Sequence, residues 1–508
     1  MTVEIPPEPS AGEPGLFQKA TRALGWSLAS TVLSRLSTLV IGIALARILG
    51  PDEFGTFAVA LVVLLAVLSF NELGVSLAVV RWPDDPEEIA PTVATVSVLS
   101  SLLVYAGCYF GAPWFAHALG DESSVPVIRV LALSVIVSGA VATPVALLQR
   151  AFQQKRKTAA DLVTNWVSAL VSIGMALGGA GAMSLAVGQL SGSLAGAVLF
   201  FAFAPRGLRL GFNPDKARAL LKFGLPLAGS SIIVFATTNV DRIVVGAALG
   251  PTALGYYMLA LNLSNWPITI FSAPVRAVVP AALARLQHDG PKLRSAFRGA
   301  AGLLTAIALP ACLLLSGASG PLIRFLYGDV WGPAATVLAW LGPLAALRIL
   351  FELFYDYFVV LASTRVVLTV QAIWFVVLLP ALYLASNSGG LWAAGAAQFG
   401  VALLVVLPMY LYELHRTGVT LGSMWKQVSP ALFGALVVAA VAVLAGRAGW
   451  PDLLVLGVSG VTALATMALL GYRLRNTVRE LRNAGEPAAD DQHEYVPADH
   501  ADHELRKT

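Results

Sequence analysis

Arg348, Glu352 and Asp356 recur every four residues in the apolar run "LRILFELFYDYF" (347–358). On a helix this spacing stacks the three on one face, about 6 Å apart per step. A guanidinium above two carboxylates can do two kinds of chemistry. Its fixed fork of donors can hold a phosphate or another anion, or it can exchange carboxylate partners and so act as a gate or ion-coupling site. A third use is purely structural, bracing one helix against another. A second charged element, Asp241-Arg242, interrupts "TTNVDRIVVGAALGPTALGYYMLAL" (237–261), a stretch apolar enough to span a bilayer. Arg35, Glu72 in "FNELG" and Arg276 in "APVRAVVP" are set in similar surroundings. A charge at mid-bilayer costs at least about 2.5–3.5 kcal/mol, so each needs a partner or a task. Arg35, Arg242, Arg276 and Arg348 are the candidate substrate-binding cations. Glu72, Asp241, Glu352 and Asp356 are the candidate gating or ion-coupling carboxylates. The sequence offers no Ser/His/Asp grouping, P-loop or metal-ligand spacing, so no catalytic residue and no metal ligand is assigned. Without a P-loop, energy must come from a gradient, the membrane potential or a downstream reaction, unless a partner supplies it.

The elements that position these charges are membrane helices. Of 508 residues 57% are hydrophobic and only 12% charged, against about 25% charged in soluble domains. The fold class is therefore all-α and polytopic. Fourteen apolar segments are long enough to cross, near 24–48, 55–80, 91–117, 126–148, 160–180, 183–204, 224–249, 255–280, 299–318, 334–361, 366–386, 390–412, 430–446 and 452–471. The net charge of +4 is no nucleic-acid footprint, because the basic residues cluster in alternate loops. "RAFQQKRK", the segment 206–222, "RLQHDGPKLRSAFR" and the run after Tyr472 hold most of them. The positive-inside rule then places both termini in the cytoplasm. Residues 1–19 and 473–508 read as disordered cytoplasmic ends, and the histidines of the tail as solvated. The opposite loops are short. The longest, about 320–333, has room for only a turn or a small interfacial helix. Cys108 and Cys312 fall inside apolar runs and read as small packing residues. The aromatics at 255–257, Trp266, Trp331, Trp340, Trp374 and Trp392 read mainly as belt or core.

"LGPDEFGTFAVAL" (49–61) and "LGPTALGYYMLAL" (249–261) repeat Leu, Gly, Pro, Gly, Ala and Leu at an offset of 200 residues. Six spans separate the copies. An even number inserts both halves in the same direction, a parallel repeat about an axis normal to the membrane. The expected organisation is an N-terminal six-helix lobe (20–205), a basic linker (206–223), a C-terminal six-helix lobe (224–415) and an additional helix pair (416–472). Phe235 occupies the position equivalent to Arg35, so the symmetry is structural rather than chemical.

"ALARILGPDEFGTFAVAL", "NELGVSLAVV", "LLQRAFQQKRK", "TNVDRIVVGAALGPTALGYY" and "VRAVVPAALARLQHD" resemble the oligosaccharide flippases. These form the polysaccharide-transporter branch of the multidrug/oligosaccharidyl-lipid/polysaccharide exporter superfamily. The resemblance covers roughly residues 20–415 and is greatest to members serving capsule, colanic-acid-like or teichuronic-acid-like polymers. It implies two six-helix lobes, often with two further helices, and alternating access in the bacterial inner membrane. The implied cargo is an undecaprenyl-diphosphate-linked oligosaccharide, moved from the inner to the outer leaflet. It implies no enzyme and no resident cofactor, with Na+ or H+ as the candidate coupling ion. The expected partners are the lipid-linked substrate, membrane lipids and polysaccharide-biosynthesis proteins, and no nucleic acid. Two rivals stand beside it. A drug or metabolite antiporter of the same superfamily would favour carboxylates in its cavity. A membrane polymerase or glycosyltransferase would need a larger outer loop.

Overall fold

The computed structural model describes residues 16–71, 86–151, 153–204, 210–272 and 279–475. Among them every long element is helical and there is no strand. α1 runs from Leu16–Asn71, α2 from Pro86–Ala118, α3 from Val125–Arg150, α4 from Gln154–Leu177, α5 from Met183–Phe203 and α6 from Pro214–Ser264. A π turn (Ile268–Ser272) and the short α7 (Val279–Arg285) lead into α8 (Gly290–Gly317). There follow α9 (Ser319–Tyr327), α10 (Gly332–Val360), α11 (Thr364–Gly389) and α12 (Leu391–Val401). A second π turn (Ala402–Val406) joins α12 to α13 (Leu407–Arg416); α14 (Leu421–Arg447) and α15 (Asp452–Arg473) complete the described chain. The loop expected at about 320–333, with room for only a turn or a small interfacial helix, contains the short α9.

Twelve of the described segments are long and apolar enough to cross a membrane. The first predicted span and the described part of the second fall together in α1, and the seventh and part of the eighth in α6. Each of these two helices is broken at one residue. Gly50 has φ 75° and ψ 176°, and Gly250 has φ 82° and ψ −179°. Glycine takes this positive-φ conformation without the Cβ penalty, and the proline that follows is preset for a new helix. In α6 the break reverses the chain. Residues 16 apart on an unbroken helix would be about 24 Å apart, yet the hydroxyl of Tyr257 lies 2.6 Å from the carboxylate of Asp241.

The chain divides into two compact units, Met1–Asn239 with Gly250–Gly255, and Val240–Leu249 with Tyr256–Thr508. In the first, the two Gly-Pro turns meet. A Cβ on Gly55 would lie 2.6 Å from the carbonyl carbon of Pro251, and one on Gly255 would lie 2.9 Å from the carbonyl oxygen of Pro51. Thr252 donates a 2.6 Å hydrogen bond to Asp52. The contacts are reciprocal at the 200-residue offset, as a parallel repeat requires. Glu53 accepts from the Ala182 N–H at 2.7 Å and so secures the tight turn between α4 and α5. α5 packs on α4 through Gly188, Gly192 and Gly196, against Ser172, Ser168 and Thr164, small residues that let membrane helices approach.

The second unit is built on aromatic packing. Phe297 of α8, Phe354 and Tyr357 of α10 and Tyr410 of α13 are all fully buried. The Phe297 and Tyr357 rings are 4.3 Å apart, and Phe351 and Tyr410 are 5.4 Å apart. This packing fixes which face of α10 turns inward. α14 crosses α8 closely, and a Cβ on Gly317 would meet the Ala439 carbonyl at 2.8 Å. Cys108 and Cys312 are buried free thiols, as expected.

Candidate functional site

The second unit holds a continuous chain of polar side chains, three of them almost without solvent contact. Asp241, on α6 before the break, is 5% exposed; Tyr257, after it, 0%; Gln398, on α12, 2%. Arg348 on α10 is half-buried. Tyr257 donates to Asp241 Oδ2 at 2.6 Å, Gln398 Nε2 donates to the Tyr257 hydroxyl, and Arg348 Nη2 donates to Gln398 Oε1 at 3.3 Å. The other carboxylate oxygen, Oδ1, accepts from the Arg242 backbone N–H at 2.9 Å.

The donor inventory gives this chain a direction. A guanidinium only donates, so Gln398 must offer it the amide oxygen. The amide nitrogen then faces Tyr257 and donates in turn. The hydroxyl's own proton is left for Asp241, which accepts it as a carboxylate. Each bond fixes the next, from a cation at one end to an anion at the other. In a medium of low dielectric such a network is strong when complete and costly when broken. Two local features build it. Gly250 brings the arms of α6 together, and the π turn after α12 begins four residues beyond Gln398, a departure from α geometry frequent at functional sites.

The structure thus joins two of the residues singled out from sequence, Asp241 and Arg348, through two that were not assigned. Tyr257 reads from sequence as a belt or core aromatic; its hydroxyl has a specific partner. Gln398 is a lone amide in "WAAGAAQFG", and a buried amide in a membrane helix is itself a signal. Arg242 and Glu352 are half-buried and Asp356 is 9% exposed. Among the described residues, Arg348 is held by the neutral amide of Gln398 and by no carboxylate. The side chain of Arg35, and Glu72 and Arg276 entirely, lie outside the described residues. No group of His, Cys, Asp and Glu suited to a metal ion occurs among the described residues.

Two bundles of membrane helices that share a repeated turn, with a buried carboxylate–arginine chain in one, define a membrane transporter fold. The architecture is that of a lipid II flippase, MurJ, in an inward closed conformation, with a TM-score of 0.70 over 88% of this chain and 100% of that one at 13% identity. An inward-facing multidrug-resistance MATE transporter of the MOP superfamily matches with a TM-score of 0.56 over 76% and 98% of the two chains at 15% identity. The chain belongs to the polysaccharide biosynthesis protein family, whose model matches residues 44–336. Relatives include the succinoglycan biosynthesis transport protein ExoT of Rhizobium meliloti (strain 1021), 26% identical over 63% of this chain and 65% of that protein. The lipopolysaccharide biosynthesis protein WzxC of Escherichia coli (strain K12) is 25% identical over 66% and 68%. The matches span about two thirds of these relatives' length.

Proposed function

We propose that this protein moves an undecaprenyl-diphosphate-linked oligosaccharide from the inner to the outer leaflet of a bacterial inner membrane. It crosses fourteen times, with both termini in the cytoplasm, and works by alternating access. The observation that carries the reading to particular residues is the hold on Arg348. Its fork meets an uncharged amide, so its charge is available to an anion such as the cargo's diphosphate. Diphosphate oxygens outcompete an amide oxygen for a guanidinium, because charge-assisted hydrogen bonds are about twice as strong as neutral ones. Cargo on Arg348 would release Gln398, and through Tyr257 would loosen the hold on Asp241. That carboxylate is then the point where H+ acts, with Na+ the other candidate coupling ion. Arg242 is the second candidate cation of this unit. The family's membership and relatives' names support the class of cargo and the expectation of polysaccharide-biosynthesis partners.

The test is flipping of an undecaprenyl-diphosphate-linked oligosaccharide in proteoliposomes. Arg348→Gln is expected to slow it by about 10- to 100-fold, since hydrogen bonds to charged groups contribute about 1.5–3 kcal/mol. Arg348→Lys should recover part of the rate by keeping charge without the fork. A wild-type rate for a well-folded Arg348→Gln would reassign Arg348 to helix bracing.

A further inference from the structure

The second unit carries a cationic notch that the transport reading does not use. It lies where α8 begins, α13 ends and α14 begins, three termini at one membrane face. Arg294 and Arg298, one turn apart on α8, reach two neighbouring places: Arg294 the linker that joins α13 to α14, and Arg298 the first turn of α14. Arg298 Nη1 donates to Ser423 Oγ at 2.8 Å, and its Nε donates to the Arg294 carbonyl at 3.2 Å. The Arg294 guanidinium lies 3.3 Å from the position a Cβ on Gly418 would take. Both arginines are half-buried, whereas Arg416 and Lys426 are exposed at the flanks. Nearby acids are used locally. Glu413 pairs with Arg416 at 3.3 Å and Asp289 with Lys292 at 3.0 Å. Among the described residues no carboxylate pairs with Arg294, Arg298 or Lys426.

The surroundings specify the kind of anion. Tyr412, near the end of α13, and Trp425, in the opening turns of α14, are 63% and 60% exposed, and the Arg416 guanidinium lies 5.9 Å from the Tyr412 ring centre. Exposed aromatics beside arginines at helix ends mark the headgroup level of a bilayer. Two forks with uncompensated charge at that level match a phosphodiester. We propose that Arg294 and Arg298, flanked by Arg416 and Lys426, bind the headgroup of an anionic phospholipid. The bound lipid fastens the linker Thr417–Thr420, and with it the additional helices α14 and α15, to α8. The site is independent of the transport reading, because no residue of the Asp241–Arg348 chain belongs to it.

The experiment is native mass spectrometry on the purified full chain, with phosphatidylglycerol or phosphatidylcholine of the same acyl chains and farnesyl diphosphate as a third probe. The wild type is expected to retain phosphatidylglycerol selectively. R294Q/R298Q should weaken that binding by roughly fivefold per guanidinium and leave phosphatidylcholine unchanged. A monodisperse double variant that retains phosphatidylglycerol like the wild type overturns the proposal. So does loss of farnesyl diphosphate alone, which would make the notch an isoprenoid-diphosphate site. If R294Q/R298Q does not stay monodisperse, R416Q/K426Q alters only exposed side chains. It should then give a smaller loss of phosphatidylglycerol, and no loss would count equally against the site.

Discussion

The arms around Gly50 and Gly250 share a backbone and differ in chemistry. Both glycines have φ near 80° and ψ near 180°, and both are followed by proline. At the 200-residue offset Ile41 stands opposite Asp241, and Phe57 opposite Tyr257. Ile41 and Phe57 pack in one apolar cluster with Leu45, Leu49, Phe54, Ile173, Ala176 and Leu185. Asp241 and Tyr257, at the same places in the second copy, form a hydrogen bond that leads on to Gln398 and Arg348. At that offset Gln398 and Arg348 face Val198 and Leu148. One half of the repeat thus has an apolar seam where the other has a polar chain. The geometry of the turn is a scaffold requirement and is kept in both. A charge at these positions is not needed to build the turn, since the first copy carries Ile41 and Phe57 there, and this points to a task for it in the second.

Making the second copy resemble the first tests this directly, and the largest effect is expected there. Tyr257→Phe removes the donor to a carboxylate that is 5% exposed. It should destabilise the protein by about 3 kcal/mol, the upper end for stranding a buried polar group and fitting for a charged one. Asp241→Ile alone leaves a buried hydroxyl without its acceptor and should cost about 1–3 kcal/mol. Asp241→Ile with Tyr257→Phe reproduces the apolar pair of the first unit and should regain most of the loss in a thermal unfolding assay. Its flipping rate should nevertheless stay low. A double variant that flips cargo at the wild-type rate would show that the chain only braces helices. A double variant less stable than either single would mean that the two residues do not act as a pair.

The feature the two copies share gives the next effect. Gly55→Ala places a Cβ 2.6 Å from the Pro251 carbonyl carbon, where backbone rather than a flexible side chain must move. Overpacking of this kind costs about 1–3 kcal/mol, read as lost thermal stability and membrane abundance. Gly42→Ala, in the same helix with nothing within 4 Å of its Cβ position, is the neutral control. Equal tolerance of both substitutions would mean that the turns do not touch as described.

The scaffold was more legible than the site, for a physical reason. Long apolar runs are a solvent-driven signal, and nine of the predicted segments correspond to individual described helices within a few residues at most ends, while a tenth, 390–412, runs through α12, the second π turn and α13. The exceptions were α4, which begins six residues before its predicted start, and α8 and α14, which begin nine residues early because their opening turns carry Lys292, Arg294, Arg298 and Lys426, charges that an apolar signal passes over. The repeat was legible because Gly-Pro followed by Gly is demanded by a positive φ and a close approach at each turn. Asp241 and Arg348 stood out as charges in apolar surroundings. Tyr257 and Gln398 did not, because a tyrosine beside another tyrosine resembles an interfacial belt and one glutamine carries no charge. Their pairing depends on the fold-back at Gly250, which brings together residues 16 and 141 positions apart. The i, i+4, i+8 spacing put Arg348 on one face with Glu352 and Asp356, but no spacing could name its amide partner, which comes from α12.

The smallest effect concerns α14 and α15, which lie outside the repeat. Arg324 of α9 grips Asp452, the first residue of α15, through two hydrogen bonds of 2.6 and 3.1 Å. The carboxylate also sits at a helix N-terminus, where negative charge is favoured. The hydrogen bonds to Asp452 favour the charged arginine and raise its pKa above the ordinary value. The side chains are 46% and 30% exposed, so water and salt screen the pair, and such pairs contribute about 1 kcal/mol or less. Asp452→Asn should therefore lower the melting temperature slightly at low ionic strength, and the difference should vanish as salt is added. Arg324→Gln should behave the same way, and the two together should cost little more than either alone. Flipping should be untouched in all three, because neither residue belongs to the Asp241–Arg348 chain. A large fall in flipping with unchanged stability would instead place α15 within the transport cycle, and the repeat would no longer contain all of the moving parts.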